Sequence, residues 1–350
     1  MITIQNLAAK YRPSKLSEVT GQSVIVDILE HICESKELTH RNFLFIGPAG
    51  CGKTTFSKIL ASKLNEGAAN VQNNLIEIDA ASHSGVDSMR EIVNQARAYP
   101  IGAKYKVFVI DECHALSPAA WQAALLTIES QPAMSVFCWC TTNPEKIPGT
   151  ILSRVQTFQL SKISLEGIDA RLKYIIKQEN AEGANITYDD DAILYLAKLA
   201  QGGMRDAITN LDQCLAHGSH VSIQSVVETL GLPSYDDYFE LLNSIAKKDN
   251  NKIVEIINTV YNSGVNFVKW FDGFFSFITN IVKFIYLQDI NQTMIPSIYQ
   301  DKIKGYGVQH AALCLKLSNK LVKLNQELKT TQYLQELAIS YLCTVPQKKG

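Results

Sequence analysis

Residues 47–54 read Gly-Pro-Ala-Gly-Cys-Gly-Lys-Thr and match the pattern GxxxxGK[ST]. An apolar run, Phe43–Ile46, leads into this segment and a helical pattern, Thr54–Leu64, leads out of it. A strand that ends in a glycine-rich loop and re-enters a helix turns successive backbone N–H groups inward. The positive end of the helix adds to them, and together they cradle phosphate oxygens. In such a loop Lys53 neutralises the β and γ phosphates and the Thr54 hydroxyl ligates Mg²⁺. Thr55 and the loop residues Gly47, Pro48, Ala49, Gly50, Cys51 and Gly52 complete the expected nucleotide contacts. A chance glycine-rich turn would lack the flanking strand and helix.

The same alternation continues beyond the loop. Leu75–Ile78, Lys106–Ile110, Val136–Cys140 and Thr157–Leu160 read as buried strands, and Val86–Ala98 and Pro118–Glu129 as helices. Strands alternating with helices predict an α/β fold, a parallel sheet covered on both faces. After Leu160 the strand signals stop. Leu165–Glu179, Asp189–Ala200 and Met204–His217 form a short helical group, and a larger one runs from Ser234 onward, past Gly218, Gly231 and Pro233. Three domains are expected: an α/β core over 1–162, a small helical domain over 163–232 and an all-helical domain over 233–350.

Composition narrows the partners. The chain has 46% hydrophobic and 19% charged residues and a net charge of −1, the balance of a globular protein. Residues 1–160 hold 14 basic and 14 acidic side chains. Tight binding of nucleic acid by the lone chain is not expected, because counterion release needs clustered Lys and Arg. None of the eight cysteines forms a CxxC pair, and several lie in apolar runs, so reduced, buried thiols in a cytosolic protein are expected. The start, MITIQNLAAKYRP, has no signal-peptide core. The apolar stretch Phe267–Leu287 is broken by Lys269, Asp272 and Lys283. Its Phe267, Phe271, Phe274, Phe275, Ile278, Ile281 and Ile285 recur at helical spacing, which predicts a packed helix and no membrane association.

Val107-Phe108-Val109-Ile110-Asp111-Glu112 places two carboxylates at the carboxyl end of a buried strand, where open α/β sheets bind ligands. Asp111 would hold Mg²⁺, directly or through water, and Glu112 would orient and activate an attacking water. Alone the pair reads equally well as a surface turn; with the phosphate loop upstream it becomes an active-site signal. Cys113 and His114 follow, but no second ligand pair supports zinc. Thr141-Thr142-Asn143 ends another apolar strand. Asn143 can bond a γ-phosphate or water, or merely start the turn before Pro144. Arg154, in Ile151-Leu152-Ser153-Arg154, reads locally as a solvated or ion-paired charge. Arg205 lies in the first turn of a helix, where a cation opposes the dipole, which hints that its charge serves something else. Ser82-His83-Ser84-Gly85 precedes the helix from Val86 and can bind phosphate, though plain capping by Ser84 is the favoured local reading. Ala98-Tyr99-Pro100-Ile101 is either a docking tip or a covered loop.

These residues in this order resemble the clamp-loader ATPases of the AAA+ class, above all the bacterial DNA polymerase III gamma/tau family, with the small subunits of replication factor C next. The resemblance rests on Lys10-Tyr11-Arg12-Pro13 and Glu18-Val19-Thr20-Gly21-Gln22, Ile76–Ser82, Ile110–Ser117, Ile151–Arg154 and Gly203–Ala207, and spans residues 7 to about 290. It implies an AAA+ P-loop core, a helical lid and a helical collar. It also implies roles: Tyr11, Arg12, Pro13 and Val19 line the adenine pocket, Asn143 and Arg205 act as first and second nucleotide sensors, and Arg154 is an arginine finger reaching the ATP of a neighbouring subunit. The helix after Ser82 would face primer–template DNA, the region near Tyr99 would touch the sliding clamp, and the collar would join other clamp-loader subunits in a five-membered ring.

The sequence departs from the family pattern at Val155, where a Cys is usual, and in Ser62–Leu75, which lacks the four-Cys zinc module, so no zinc is expected. It also stops without the tau-type extension. The compact length would suit a phage or mobile-element gene, with the protein in a bacterial or phage-infected cytoplasm. The expected activity is ATP hydrolysis, with ATP and Mg²⁺, coupled to loading a clamp onto primed DNA. A branch-migration or replication-fork helicase motor and a nucleotide-switched scaffold are the competing readings.

Overall fold

The structure, a computed structural model, describes residues 6–35, 37–68 and 70–344. The outer ends of the first and third expected domains, 1–5 and 345–350, lie outside the described residues, as does part of the N-terminal stretch examined for a leader. Two compact units are present, Met1–Ala184 with Ala200–Asp212, and Asn185–Leu199 with Gln213–Gly350.

In the first unit five strands form one sheet: β1 Asn42–Ile46, β2 Leu75–Asp79, β3 Lys106–Asp111, β4 Ser135–Thr141 and β5 Gln156–Gln159. Their order is β2-β3-β4-β1-β5 and every pairing is parallel. Period-2 alternation sends β1 side chains to two separate cores. Phe43 and Phe45 join Phe56, Ile59 and Leu60 on one face; Leu44 and Ile46 join Trp121, Phe137 and Trp139 on the other. The helices of this unit are α1 Leu7–Lys10, α2 Ser23–Glu34, α3 Lys53–Leu64, α4 Val86–Ala96, α5 Pro118–Ser130, α6 Gly149–Leu152 and α7 Leu165–Ala181. Helices α2 and α3 supply the first core, α4 and α5 the second.

Helix α4 ends at Ala96, two residues earlier than its apolar pattern suggests, with Arg97 as its C-cap; Pro100 bars the helical region only to Tyr99. Its N-cap is Gly85, with no side-chain cap. Ser84 therefore does not cap the helix as expected; its carbonyl instead accepts from the Ser117 amide at 3.0 Å. The loop is shaped by Asp79, whose carboxylate accepts from the Ala81 amide and the Ser82 hydroxyl, both at 2.9 Å.

The second unit contains α8 Asp190–Leu199 and, from Gln213 on, the end of α9 Met204–His217, then α10 Ile223–Thr229, α11 Tyr235–Lys247, α12 Asn250–Asn262, α13 Phe267–Leu287, α14 Gln300–Lys304, α15 Val308–Leu328 and α16 Leu334–Cys343. Strands do not stop after Leu160: Thr187–Tyr188 and His220–Val221 pair in parallel. Two-residue strands carry no readable alternation, so the sequence gives no sign of them. Helix α13 packs as its spacing predicts, with Phe271, Phe274, Ile278 and Ile281 fully buried. Among the described residues no helix is long and apolar enough to cross a membrane.

Candidate active site

The phosphate loop leaves β1 at Gly47, whose amide donates to the Thr141 carbonyl at the end of β4 (3.2 Å). Gly50 and Gly52 take positive φ, +71° and +109°, a conformation that a side chain would strain. These turns bring Lys53 to the first position of α3, where only 6% of it is exposed. Its ammonium donates to the carbonyls of Gly47 (2.9 Å) and Pro48 (2.8 Å), and among the described residues no carboxylate pairs with it. A buried cation held only by its own loop's carbonyls is a receptor for an anion. The Thr54 hydroxyl donates to Asp111 Oδ2 at 2.7 Å, joining the loop to the end of β3. Hydroxyl and carboxylate oxygens side by side, next to that ammonium, suit the hard-oxygen coordination of Mg²⁺ on a polyphosphate. The residues present therefore fit ATP with Mg²⁺.

Glu112 sits beside this pair in the left-handed region, φ 47° and ψ 40°. A non-glycine residue held there costs on the order of 1–3 kcal/mol and persists only where its surroundings over-determine it. Here they do. The Glu112 amide donates to Asp111 Oδ1 (3.0 Å), the Thr142 hydroxyl donates to Glu112 Oε2 (3.2 Å), and His114 Nδ1 lies 3.3 Å from the same oxygen. The carboxylate stays partly exposed and can meet a water. Sequence reading missed Thr142; its signal was a hydroxyl at the end of a buried strand, one residue before the Asn143 that drew attention. Asn143 sits at the cap of the short turn Pro144–Lys146, its amide N–H on Thr141 Oγ1 (3.0 Å).

Arg205 reaches the loop through its neighbours. The Met204 amide donates to the Gly50 carbonyl (3.1 Å), and a Cβ at Gly50 would stand 3.1 Å from Gly203 Cα and 3.6 Å from the Arg205 nitrogen. The Arg205 side chain itself is exposed. The N-terminal segment is tied in from another side. Arg12 Nε donates to Thr55 Oγ1 (3.3 Å), the Tyr11 hydroxyl donates to Glu179 on α7 (2.6 Å), and Arg171 donates to the Tyr11 carbonyl (3.0 Å). Lys10 also pairs with Glu179 (2.8 Å). Pro13 follows this tied segment, and Val19 packs on the core shared by α2 and α3.

Arg154 lies elsewhere. Strand register pairs Phe43 with Gln156, so Arg154 is level with the start of β1, whereas the phosphate loop begins after its end at Ile46. Gln156, level with Phe43, is four residues and so about 13 Å from Gly47 along the strands, and Arg154 lies beyond it, at the opposite end of the strands from the loop. Arg154 Nε pairs with Glu129 Oε1 (2.9 Å), and NH1 donates to the Thr150 carbonyl (2.8 Å) and Ser153 Oγ (3.1 Å). A cleft of about 760 Å³ opens beside them, lined also by His40, Gln131 and Gln156.

Among the described residues no group of three or more His, Cys, Asp and Glu side chains forms a metal cluster. All eight cysteines are free and six are buried. Burial pushes their thiols up, Cys138 to about 12.

Comparison with known proteins gives two family-model matches: DNA polymerase III, delta subunit, over residues 21–164, and DNA polymerase III clamp loader subunit, ATPase lid domain, over residues 167–220. The DNA polymerase III subunit gamma of Buchnera aphidicola subsp. Baizongia pistaciae is 32% identical, over 87% of this chain and 84% of that protein. The gamma/tau subunit of Mycoplasma genitalium is 30% identical over 95% of this chain, and the tau subunit of Bacillus subtilis 29% identical over 98%. The chain spans 58% and 64% of the length of those two relatives. Among solved structures, the Thermotoga maritima RuvB Holliday junction branch migration motor aligns with TM-score 0.51 and 22% identity, covering 69% of this chain and 80% of that one. At that identity the likeness is one of fold.

Proposed function

This chain belongs to the DNA polymerase III gamma/tau family, and from that premise we propose that it is an ATP-hydrolysing subunit of a clamp loader, which opens a ring-shaped sliding clamp and sets it on primed DNA. In this reading the loop Gly47–Thr54 grips the triphosphate, with the Lys53 ammonium turned from its carbonyl partners to the γ-phosphate. Thr54 and Asp111 would hold Mg²⁺, whose charge would offset that on the transferred phosphoryl group. Glu112, aimed by Thr142, orients the attacking water and draws its proton. Tyr11, Arg12, Pro13 and Val19 form the base pocket, and Asn143 and Arg205 sense the nucleotide. The domain bounds 1–162, 163–232 and 233–350, as core, lid and collar, are part of the same reading.

One observation carries the assembly. Arg154 is too far along the sheet to serve its own phosphate loop, so a finger role requires a neighbouring chain, here other subunits of a pentameric ring. DNA would lie along α4 and the clamp against the tip beyond it, where Tyr99 and Ile101 are 79% and 77% exposed. The protein would work in a bacterial or phage-infected cytoplasm. A branch-migration motor is the competing reading, but its support is likeness of fold alone.

Arg154→Ala tests the shared site. It should leave ATP binding by the isolated chain intact and lower DNA- and clamp-stimulated turnover in the assembly by on the order of 10³-fold. Mixing it with a Lys53→Ala chain should recover activity, because an interface joining the intact loop of one to Arg154 of the other is complete. Normal stimulated turnover by the Arg154 variant would overturn the assignment.

A further inference from the structure

One acid pairs with Arg154, and we infer that this residue, Glu129, is a positioning residue for Arg154, aiming it at the nucleotide of the neighbouring chain. The inference rests on the shared-site reading above. Glu129 lies in the last turn of α5 (Pro118–Ser130), where a carboxylate faces the negative end of the helix dipole. Local preference disfavours an acid there, so its use must lie in a contact. That contact is the 2.9 Å pairing with Arg154 Nε.

A guanidinium has five N–H groups: one on Nε and two on each terminal nitrogen. Nε lies 2.9 Å from Glu129 Oε1 in an ion pair, and NH1 donates to the Thr150 carbonyl and Ser153 Oγ. NH2 has no hydrogen bond among the described residues, so its edge is the one left for a phosphoryl oxygen. The grip is built on rigid parts. The Asn42 side chain, 2% exposed at the start of β1, donates to the Ile128 carbonyl at 3.2 Å and pins the end of α5 next to Glu129. Thr150 belongs to α6 (Gly149–Leu152), so Arg154 is clamped between two helices. Both partners are about two-fifths exposed (41% and 42%), which makes the pair a poor source of stability and leaves orientation as its effect. An arginine fixed along one edge has little freedom left to lose when it meets its target, whereas a misplacement of about 1 Å costs about 100-fold in rate.

The test compares ATP turnover by the full assembly with primer–template DNA for Glu129→Ala, Glu129→Gln and Arg154→Ala. Glu129→Ala should lower kcat between about 5- and 50-fold with KM changed less than twofold. Glu129→Gln, which keeps the length of the side chain but loses its charge, should fall between Glu129→Ala and the native rate, since the contact is an ion pair. Mixing Glu129→Ala with Lys53→Ala chains should restore activity, since the defect lies on the neighbour's site. If Arg154→Ala collapses turnover while Glu129→Ala matches or exceeds the native rate, Glu129 does not position the finger. If Arg154→Ala itself turns over normally, the shared-site reading has failed instead.

Discussion

Gly203 packs its backbone on that of Gly50: a Cβ built on Gly50 would meet Gly203 Cα at 3.1 Å, and the adjacent Met204 amide donates to the Gly50 carbonyl at 3.1 Å. The phosphate loop and the segment that carries Arg205 are thus joined through bare backbone, at a point where Gly50 also needs its φ of +71°. Gly50→Ala adds both strain and a steric conflict. It should destabilise the fold by about 1–3 kcal/mol and weaken ATP binding at least tenfold, read by thermal unfolding and by nucleotide titration. Native affinity in that variant would mean that the contact does not shape the nucleotide site.

Thr142 offers a cleaner separation of binding from chemistry. Its hydroxyl reaches Glu112 Oε2, and Thr142 lies outside the loop Gly47–Thr54. Thr142→Val should leave the ATP dissociation constant within twofold and lower kcat about tenfold, since Glu112 loses one of the groups that aim it. Two reference variants bracket the result. Lys53→Ala should abolish binding, and Glu112→Gln should bind and not turn over. A Thr142 variant with native kcat would show that His114 and the backbone suffice.

Acid should release the N-terminal segment. Burial alone would raise the Glu179 carboxyl, but hydrogen bonds from Lys10 and Tyr11 outweigh it and hold the group below its ordinary value. A depressed carboxylate stabilises above its unfolded pKa and loses that contribution as pH falls through the folded pKa. Tyr11 is pushed up to about 12 by burial and by Glu179, so its phenol keeps donating across the neutral range. Amide protection over Leu7–Arg12 should therefore be flat from pH 6 to 8 and fall below the usual carboxylate range. Glu179→Gln should remove the acid step and lower protection at neutral pH by about 1 kcal/mol, about fivefold in exchange rate. An unchanged acid step in that variant would assign it to other carboxylates.

What the residues alone determined is the local chemistry of each segment. The strand–loop–helix around Gly47–Thr54 and the Asp111-Glu112 pair at the end of a strand were legible because each depends on contiguous residues and on the strand or helix beside them. The α13 stripe was legible for the same reason, a helical period within one segment. The pairing of Thr187–Tyr188 with His220–Val221 was not, since two residues hold no period. Nor was the absence of a Ser84 cap, because Gly85 takes the N-cap position and Ser84 meets Ser117, a residue distant in sequence. Tertiary structure alone decided which distant groups meet. It put Thr142 and not the Asn143 side chain on Glu112, it set Gly203 against Gly50, and it paired Arg154 with Glu129 at the end of the strands opposite the loop. The physical reason is that strand order β2-β3-β4-β1-β5 and its register are fixed by burial summed over two cores, and no single segment encodes that sum.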